Sequence, residues 1–228
     1  MTPSPDQTSD DVDENEAPLN VNCVGVILAG GRSTRMGGGD KFLRPLAGTT
    51  MLDLVLNRLK SQLKTNIIST NGDPARLSAY NLPAITDEID GYAGPLAGMH
   101  AALSWTAQNQ PSATHCLSVA ADTPFFPENY AARMTEHAVK IGSDHIIIAT
   151  SNGRHQPGFA LWPLTVKDEL ERALKDGTRK VRAFTDNQPN STLAFEQLTL
   201  NGVEIDPFFN VNEPADLALC QKLLLSSS

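Results

Sequence analysis

The run Val21–Leu28, apolar but for Asn22, ends in Ala29-Gly30-Gly31. A short apolar stretch bounded by glycines suits a strand buried on both faces, and such a strand needs helices above and below it. Strand and helix patterns should therefore alternate downstream, and they do. Leu52, Val55, Leu56, Leu59 and Leu63 keep helical spacing, with Thr50 and Asp53 as a start signal. Asn66–Thr70 reads as a second strand, Asn71-Gly72-Asp73-Pro74 as a turn, and Ala84–Thr86 as a weak third strand. A helix over Leu96–Trp105, a fourth strand over Thr114–Ala120, a helix near Glu128–Lys140 and a β-branched run at His145–Thr150 follow. The alternation predicts an α/β fold built on a mostly parallel, doubly wound sheet with right-handed crossovers. Beyond Ser151 the pattern loosens. Phe159–Trp162 reads as a sheet edge, Val166–Leu174 as a helix and Phe208–Val211 as a late strand. The last helix is expected from Asn212, with Pro214 in its first turn and Leu217, Cys220 and Leu224 facing inward.

Charge separates a tail from this body. The 228 residues carry a net charge of −8, but Asp6, Asp10, Asp11, Asp13, Glu14 and Glu16 crowd the first stretch without any Lys or Arg. Residues 1–20 have almost nothing to bury and are expected to be a disordered acidic tail, leaving 21–228 as a single domain. The body is then nearly neutral, which argues against a nucleic-acid groove or a membrane-binding face. Cys23, Cys116 and Cys220 are far apart and form neither a Cys-x-x-Cys motif nor an even-numbered framework. They fit free thiols in a reducing compartment. With no signal-peptide pattern and no membrane-length apolar run, the expected location is cytoplasmic.

The chemistry gathers in Leu28-Ala-Gly-Gly-Arg-Ser-Thr-Arg-Met-Gly-Gly-Gly-Asp-Lys41. The segment follows the first strand, at the carboxyl edge where open α/β sheets bind ligands. Its glycines let backbone N–H groups approach phosphate oxygens, and Arg32, Arg35 and Lys41 add cations, so the segment suits a polyphosphate. It contains neither a P-loop nor a Gly-x-Gly-x-x-Gly fingerprint, which excludes a simple dehydrogenase. Asp122, in Asp122-Thr123-Pro124 at the end of the fourth strand, is placed to hold Mg²⁺ on phosphates. Taken alone it reads rather as an N-cap or turn residue before proline. Asp87 and Gly94-Pro-Leu-Ala-Gly98 form a second loop, where Asp87 can accept from N1–H and the exocyclic amine of guanine; alone it too reads as a turn. Asn210 and Asn212 fall on one face of an extended segment. Asn212 doubles as a helix cap.

Together these motifs resemble the molybdenum cofactor guanylyltransferase family. The match runs over about residues 22–225, through the Leu28–Lys41 signature, Gly94–Gly98, Asp122–Pro124, Gln156-Pro157 and Asn210-Val-Asn212. The resemblance implies a three-layer Rossmann-like fold of the nucleotide-diphospho-sugar transferase type. It also implies transfer of GMP from GTP to the terminal phosphate of molybdenum-molybdopterin, with Mg²⁺ as cofactor and molybdenum-insertion and acceptor proteins as partners. By motif position, Leu28, Ala29, Gly30, Lys41, Asp87 and Asp122 would contact GTP, and Asp122 would bind the metal. An Asn common at the end of the second strand corresponds to Ser69 or Asn71 here. Arg35, Lys41 and Asp122 would carry catalysis. Lys180, standing where an Arg is common and next to Arg179, would hold the pterin with Arg182, Asn210 and Asn212.

No strong general base is required, because the acceptor phosphate is already ionised. The scattered His100, His115, His137, His145 and His155 agree with that. Two alternatives stand beside this reading: a cytidylyl or sugar-1-phosphate nucleotidyltransferase, and a non-catalytic GTP- or cofactor-carrying chaperone. Asp40 before Lys41 speaks for guanylyl transfer, since the cytidylyl relatives usually carry Pro there. A chaperone would not need Asp122.

Overall fold

The computed structural model describes residues 21–30, 40–87 and 94–225. Strand β1 (Cys23–Ala29) is buried on both faces, as its glycine-bounded run implies. The short hairpin β2 (Pro45–Leu46) and β3 (Thr49–Thr50) leads into helix α1 (Met51–Lys60). The expected start signal is a full capping box: the Thr50 hydroxyl accepts from the Asp53 amide, and the Asp53 carboxylate accepts from the Thr50 amide. Then come β4 (Asn66–Thr70), a 3₁₀ helix at Pro74–Tyr80, β5 (Ala84–Ile85), helix α2 (Pro95–Asn109), β6 (His115–Ala120) and helix α3 (Tyr130–Ile141). The second half holds β7 (Ile146–Ser151), β8 (Arg154–Pro163), α4 (Lys167–Lys175), α5 (Val181–Thr185), β9 (Asn190–Ala194), the hairpin β10 (Leu198–Leu200) and β11 (Val203–Ile205), and α6 (Pro214–Leu225).

Seven strands form one sheet in the order β5-β4-β1-β6-β8-β7-β9. All pair in parallel except β8, which runs antiparallel to both β6 and β7. From β1 the chain first builds outward through β4 and β5, then returns on the other side as β6. The carboxyl ends of β1 and β6 are therefore the switch point, where neither connection covers the crevice. Alternate residues of the strands enter two cores. Ile27, Ile68, Leu117, Val119 and Ile147 pack with α1 and α3, while Val24, Val26, Ile67, Cys116 and Ile148 pack with α2, α4 and α5. The result is the expected three-layer, mostly parallel α/β fold.

The second half departs from the expectations. Phe159–Trp162 is part of a ten-residue strand inside the sheet, not an edge. Its unbroken burial fits an interior strand, and Pro157 lies outside the register β8 shares with β6. The edge is β9, whose polar, alternating Asn-Ser-Thr-Leu-Ala is too weak to stand out. Phe208–Val211 is not a strand; it is a turn and an irregular segment that buries Phe208 and Val211. Helix α6 begins at Pro214 rather than Asn212. Cys220 and Leu223 are its buried residues, with Leu217 and Leu224 partly covered. The proposed acidic tail lies outside the described residues.

Candidate active site

Among the described residues, Leu28–Gly30, Lys41, Asn71 and Asp122 gather along the carboxyl edge of β1, β4 and β6. Parallel pairing sets Leu28 beside Ser69 and Ala120, and Ala29 beside Thr70. The Leu28 carbonyl accepts from the Ala121 amide at 3.1 Å, so the strand pair closes just before Asp122. Gly30 is exposed, and the side-chain amide of Asn71 sits against it: a Cβ at Gly30 would lie 3.3 Å from Asn71 Nδ2. Ser69, by contrast, is buried under α2, where its Oγ would be 2.5 Å from a Cβ at Gly98. Of the two residues left open by the motif, Asn71 is the one that reaches the edge.

Lys41 lies just past the glycine-rich segment, at the start of a 3₁₀ turn. Its Nζ is 2.6 Å from Asp122 Oδ2 and donates to Asn212 Oδ1 at 2.7 Å. Both charged side chains are about four-fifths buried, at 19% and 23% exposed. Thr123 donates its hydroxyl to Asn210 Oδ1, and the Val211 amide donates to the Asp122 carbonyl at 2.9 Å. The Asn210–Asn212 segment is thus laced to the end of β6 by main chain and side chains alike. Asn212 is not the cap of α6. Asp216 reaches back instead, accepting from the amides of Asn212 and Glu213 at 2.9 and 2.8 Å.

The remaining sequence candidates stand elsewhere. Asp87 follows β5, half-buried, and its Oδ1 has no donor among the described residues. Desolvation pushes its carboxyl up to about 6. Lys180 is exposed at the start of α5, and the Arg179 carbonyl lies 4.0 Å from a Cβ position on Gly94, the N-cap of α2. Neither Asp87 nor Lys180 bonds to the Lys41–Asp122–Asn212 cluster. Arg35, with Arg32 and Gly37–Gly39, falls in 31–39, outside the described residues.

Among the described residues no group of three His, Cys, Asp or Glu converges as a metal cage. Asp122 offers one carboxylate, already neutralised by an ammonium. That donor set fits a hard divalent cation that keeps most of its ligands from phosphate and water, and Mg²⁺ binds in that way. Sequence reasoning gave no role to Thr123, which orders Asn210, or to Arg76, whose guanidinium reaches Asp40, Thr70 and Asn71. Thr123 lay inside a recognised motif. Arg76 follows a turn with no pattern around it, and only the folded chain connects it to anything.

Comparison with known proteins gives the family and the fold. The family description "MobA-like NTP transferase domain" matches residues 25–192. A molybdenum cofactor guanylyltransferase from Rhodopseudomonas palustris (strain HaA2) is 46% identical over 202 residues, which is 88% of this chain and 91% of that protein. The crystal structure of molybdopterin-guanine dinucleotide biosynthesis protein A from Archaeoglobus fulgidus superposes with a TM-score of 0.71 at 23% identity, over 90% of this chain and all of that one. A Mycobacterium tuberculosis protein solved in complex with manganese superposes with a TM-score of 0.61 at 18% identity, covering 89% of this chain and 99% of its own. The two structures speak for the fold.

Proposed function

The chain belongs to the molybdenum cofactor guanylyltransferase family, and from that premise we propose how its own residues carry out the reaction. GMP passes from GTP to the terminal phosphate of molybdenum-molybdopterin, giving the guanine dinucleotide cofactor and pyrophosphate. The observation that carries the reading is the Lys41–Asp122–Asn212 cluster at the β1–β6 switch point. Leu28, Ala29, Gly30 and Asn71 line the nucleotide side of that crevice, with Asn71 turned toward Gly30. Asp87 reads guanine, since its Oδ1 is an acceptor with no donor among the described residues.

The acceptor is an ionised phosphate, so catalysis rests on positioning and charge neutralisation rather than on a general base. GTP draws Lys41 from Asp122 onto its phosphates, where the ammonium offsets charge on the departing pyrophosphate. Asp122 is thereby freed, and together with the triphosphate it would hold Mg²⁺. Held there, Mg²⁺ would supply the positive charge that polarises the α-phosphate toward attack. Arg35 joins the phosphate contacts through its place in the motif. Asn212, released by Lys41, together with Asn210 and the exposed Lys180 receives the anionic pterin. The three free cysteines agree with a cytoplasmic site of action.

The test is direct. The protein is incubated with Mg²⁺, molybdenum-loaded molybdopterin and each of GTP, ATP, CTP and UTP in turn, and the dinucleotide product and pyrophosphate are quantified. GTP should support turnover far above the others. Preferential turnover of CTP would overturn the guanylyl assignment, and nucleotide binding without pyrophosphate release would point to a carrier.

A further inference from the structure

We infer that Arg76 is a positioning residue for GTP, because its guanidinium ties together the two ends of the glycine-rich segment. The inference rests on the nucleotide reading of that segment. Arg76 lies in the 3₁₀ helix after β4, and its side chain is about three-quarters buried. Toward the far end of the segment, Nε lies 2.5 Å from Asp40 Oδ2 and Nη2 lies 3.4 Å from Oδ1. Asp40 is the residue before Lys41, so this pair holds the backbone from which Lys41 reaches Asp122. Toward the near end, Nη2 donates to the Thr70 hydroxyl at 2.7 Å. Thr70 is fully buried and in turn donates, at 3.5 Å, to the carbonyl of Ala29.

One side chain therefore links Ala29, Thr70, Asp40 and, through the chain, Lys41. It also takes up the backbone of the β4 turn. Nη2 donates to the Asn71 carbonyl and Nη1 to the Asp73 carbonyl, both at 2.8 Å. Holding the Asn71 carbonyl leaves that residue's amide side chain facing Gly30. Gly72 permits the arrangement: its φ is +97°, and even a Cβ there would sit 3.0 Å from Nη1.

Only arginine has a planar fork of donors that meets so many acceptors at once; a lysine would reach one or two. Fixing Ala29, Asn71 and Lys41 relative to one another before ligand arrives removes part of the reorganisation cost of binding. The loss of Arg76 should therefore appear in nucleotide affinity, not in the chemical step and not on the pterin side.

The experiment compares wild type, Arg76→Ala, Arg76→Lys, Asp40→Asn and the Arg76→Ala/Asp40→Asn double variant. The Kd for GTP with Mg²⁺ is read by titration calorimetry, alongside kcat, KM for GTP, KM for molybdenum-molybdopterin and Tm. Arg76→Ala should weaken GTP about tenfold or more while kcat stays within about threefold and the pterin KM is unchanged. Arg76→Lys should recover only a small part. Asp40→Asn should weaken GTP in wild type but add little once Arg76 is gone, because the two act as one pair. A merely structural Arg76 would lower kcat and Tm and leave both KM values alone; that result overturns the inference, as does an additive double variant. If Arg76→Ala does not fold, Arg76→Lys and Asp40→Asn carry the same comparison. Failure of wild type itself to bind GTP would instead reject the nucleotide reading.

Discussion

Asp87 is a carboxylate that is half-buried and whose Oδ1 accepts no hydrogen bond among the described residues. Guanine offers two adjacent donors, N1–H and the exocyclic amine, that a carboxylate can accept together; adenine and cytosine do not reproduce the pair. With the wrong base the group stays unsatisfied, at a cost of about 1–3 kcal/mol, roughly tenfold to a few hundredfold in selectivity. Asp87→Asn should narrow the gap in kcat/KM between GTP and ATP by about that factor. Recognition needs the ionised form, and burial pushes the carboxyl up to about 6. Wild-type kcat/KM for GTP should therefore rise as pH passes through 6 and then level, while Asp87→Asn follows a flatter profile. The sign for stability is the reverse. A carboxyl whose pKa is raised by folding favours the native state most below its unfolded value of 3.8 and loses that contribution as pH climbs through about 6. Asp122 differs, because its charge is met by Lys41. Asp122→Ala should lower kcat by about 10²–10³, while Tm changes little, since Lys41 keeps Asn212 as acceptor.

Helix α2 owes its seat on the sheet to a missing side chain. Gly98 faces β1 and β4, and a Cβ there would meet Ser69 Oγ at 2.5 Å, too close for any real contact. Ser69 is buried, so its hydroxyl has little room to turn away. Gly98→Ala should destabilise the fold by about 1–3 kcal/mol through overpacking, read as the midpoint of urea unfolding. Its other neighbours, Ser69 Cβ and Leu28 Cδ2, stand at 3.6 and 3.7 Å, ordinary contact distances. Ser69→Ala should therefore rescue Gly98→Ala, and the double variant should recover most of the loss. Purely additive effects would mean that the helix shifts bodily instead. The contact matters beyond stability because the amino end of α2 and the carboxyl end of β1 border the same crevice.

A third core joins the stretch after Lys41 to helix α6. Leu46 and Met51, just past Lys41, pack with Phe125, Ile205, Val211, Cys220 and Leu223. This cluster brings Asn212 to Lys41 across 171 positions of sequence. Its apolar residues come from β2, the start of α1, the β10–β11 hairpin, the segment after β11 and α6, with Phe125 from the loop after β6. The acidic residues 1–18 hold few apolar side chains, Met1, Val12 and Ala17 among them, and carry none of the family motifs. Deleting 1–18 should leave Tm and turnover at wild-type values in thermal melting and guanylyl-transfer assays. A large loss in either would make that segment a working part of the enzyme.

The strand–helix alternation over 21–150, the switch-point glycines and the Lys41 and Asp122 motifs are local properties. Apolar periodicity and glycine punctuation act within a few residues, and so they are legible in the sequence alone. The same locality explains the failures. Nothing in Phe159–Trp162 says whether a buried run lies inside or at the edge of a sheet, because that depends on which strands pair beside it. Asn210 and Asn212 look like a strand face by spacing alone, yet Thr123 and Lys41 hold them in an irregular segment. Arg76 carried no pattern at all. Its role arises from bonds to Asp40, Thr70 and Asn71 that parallel pairing and the 3₁₀ turn bring within reach. The sequence by itself determined the elements of the first half and the type of chemistry at their ends. The tertiary structure alone decided which distant side chains share a charge or a hydrogen bond, because those energies exist only once the crossovers have packed.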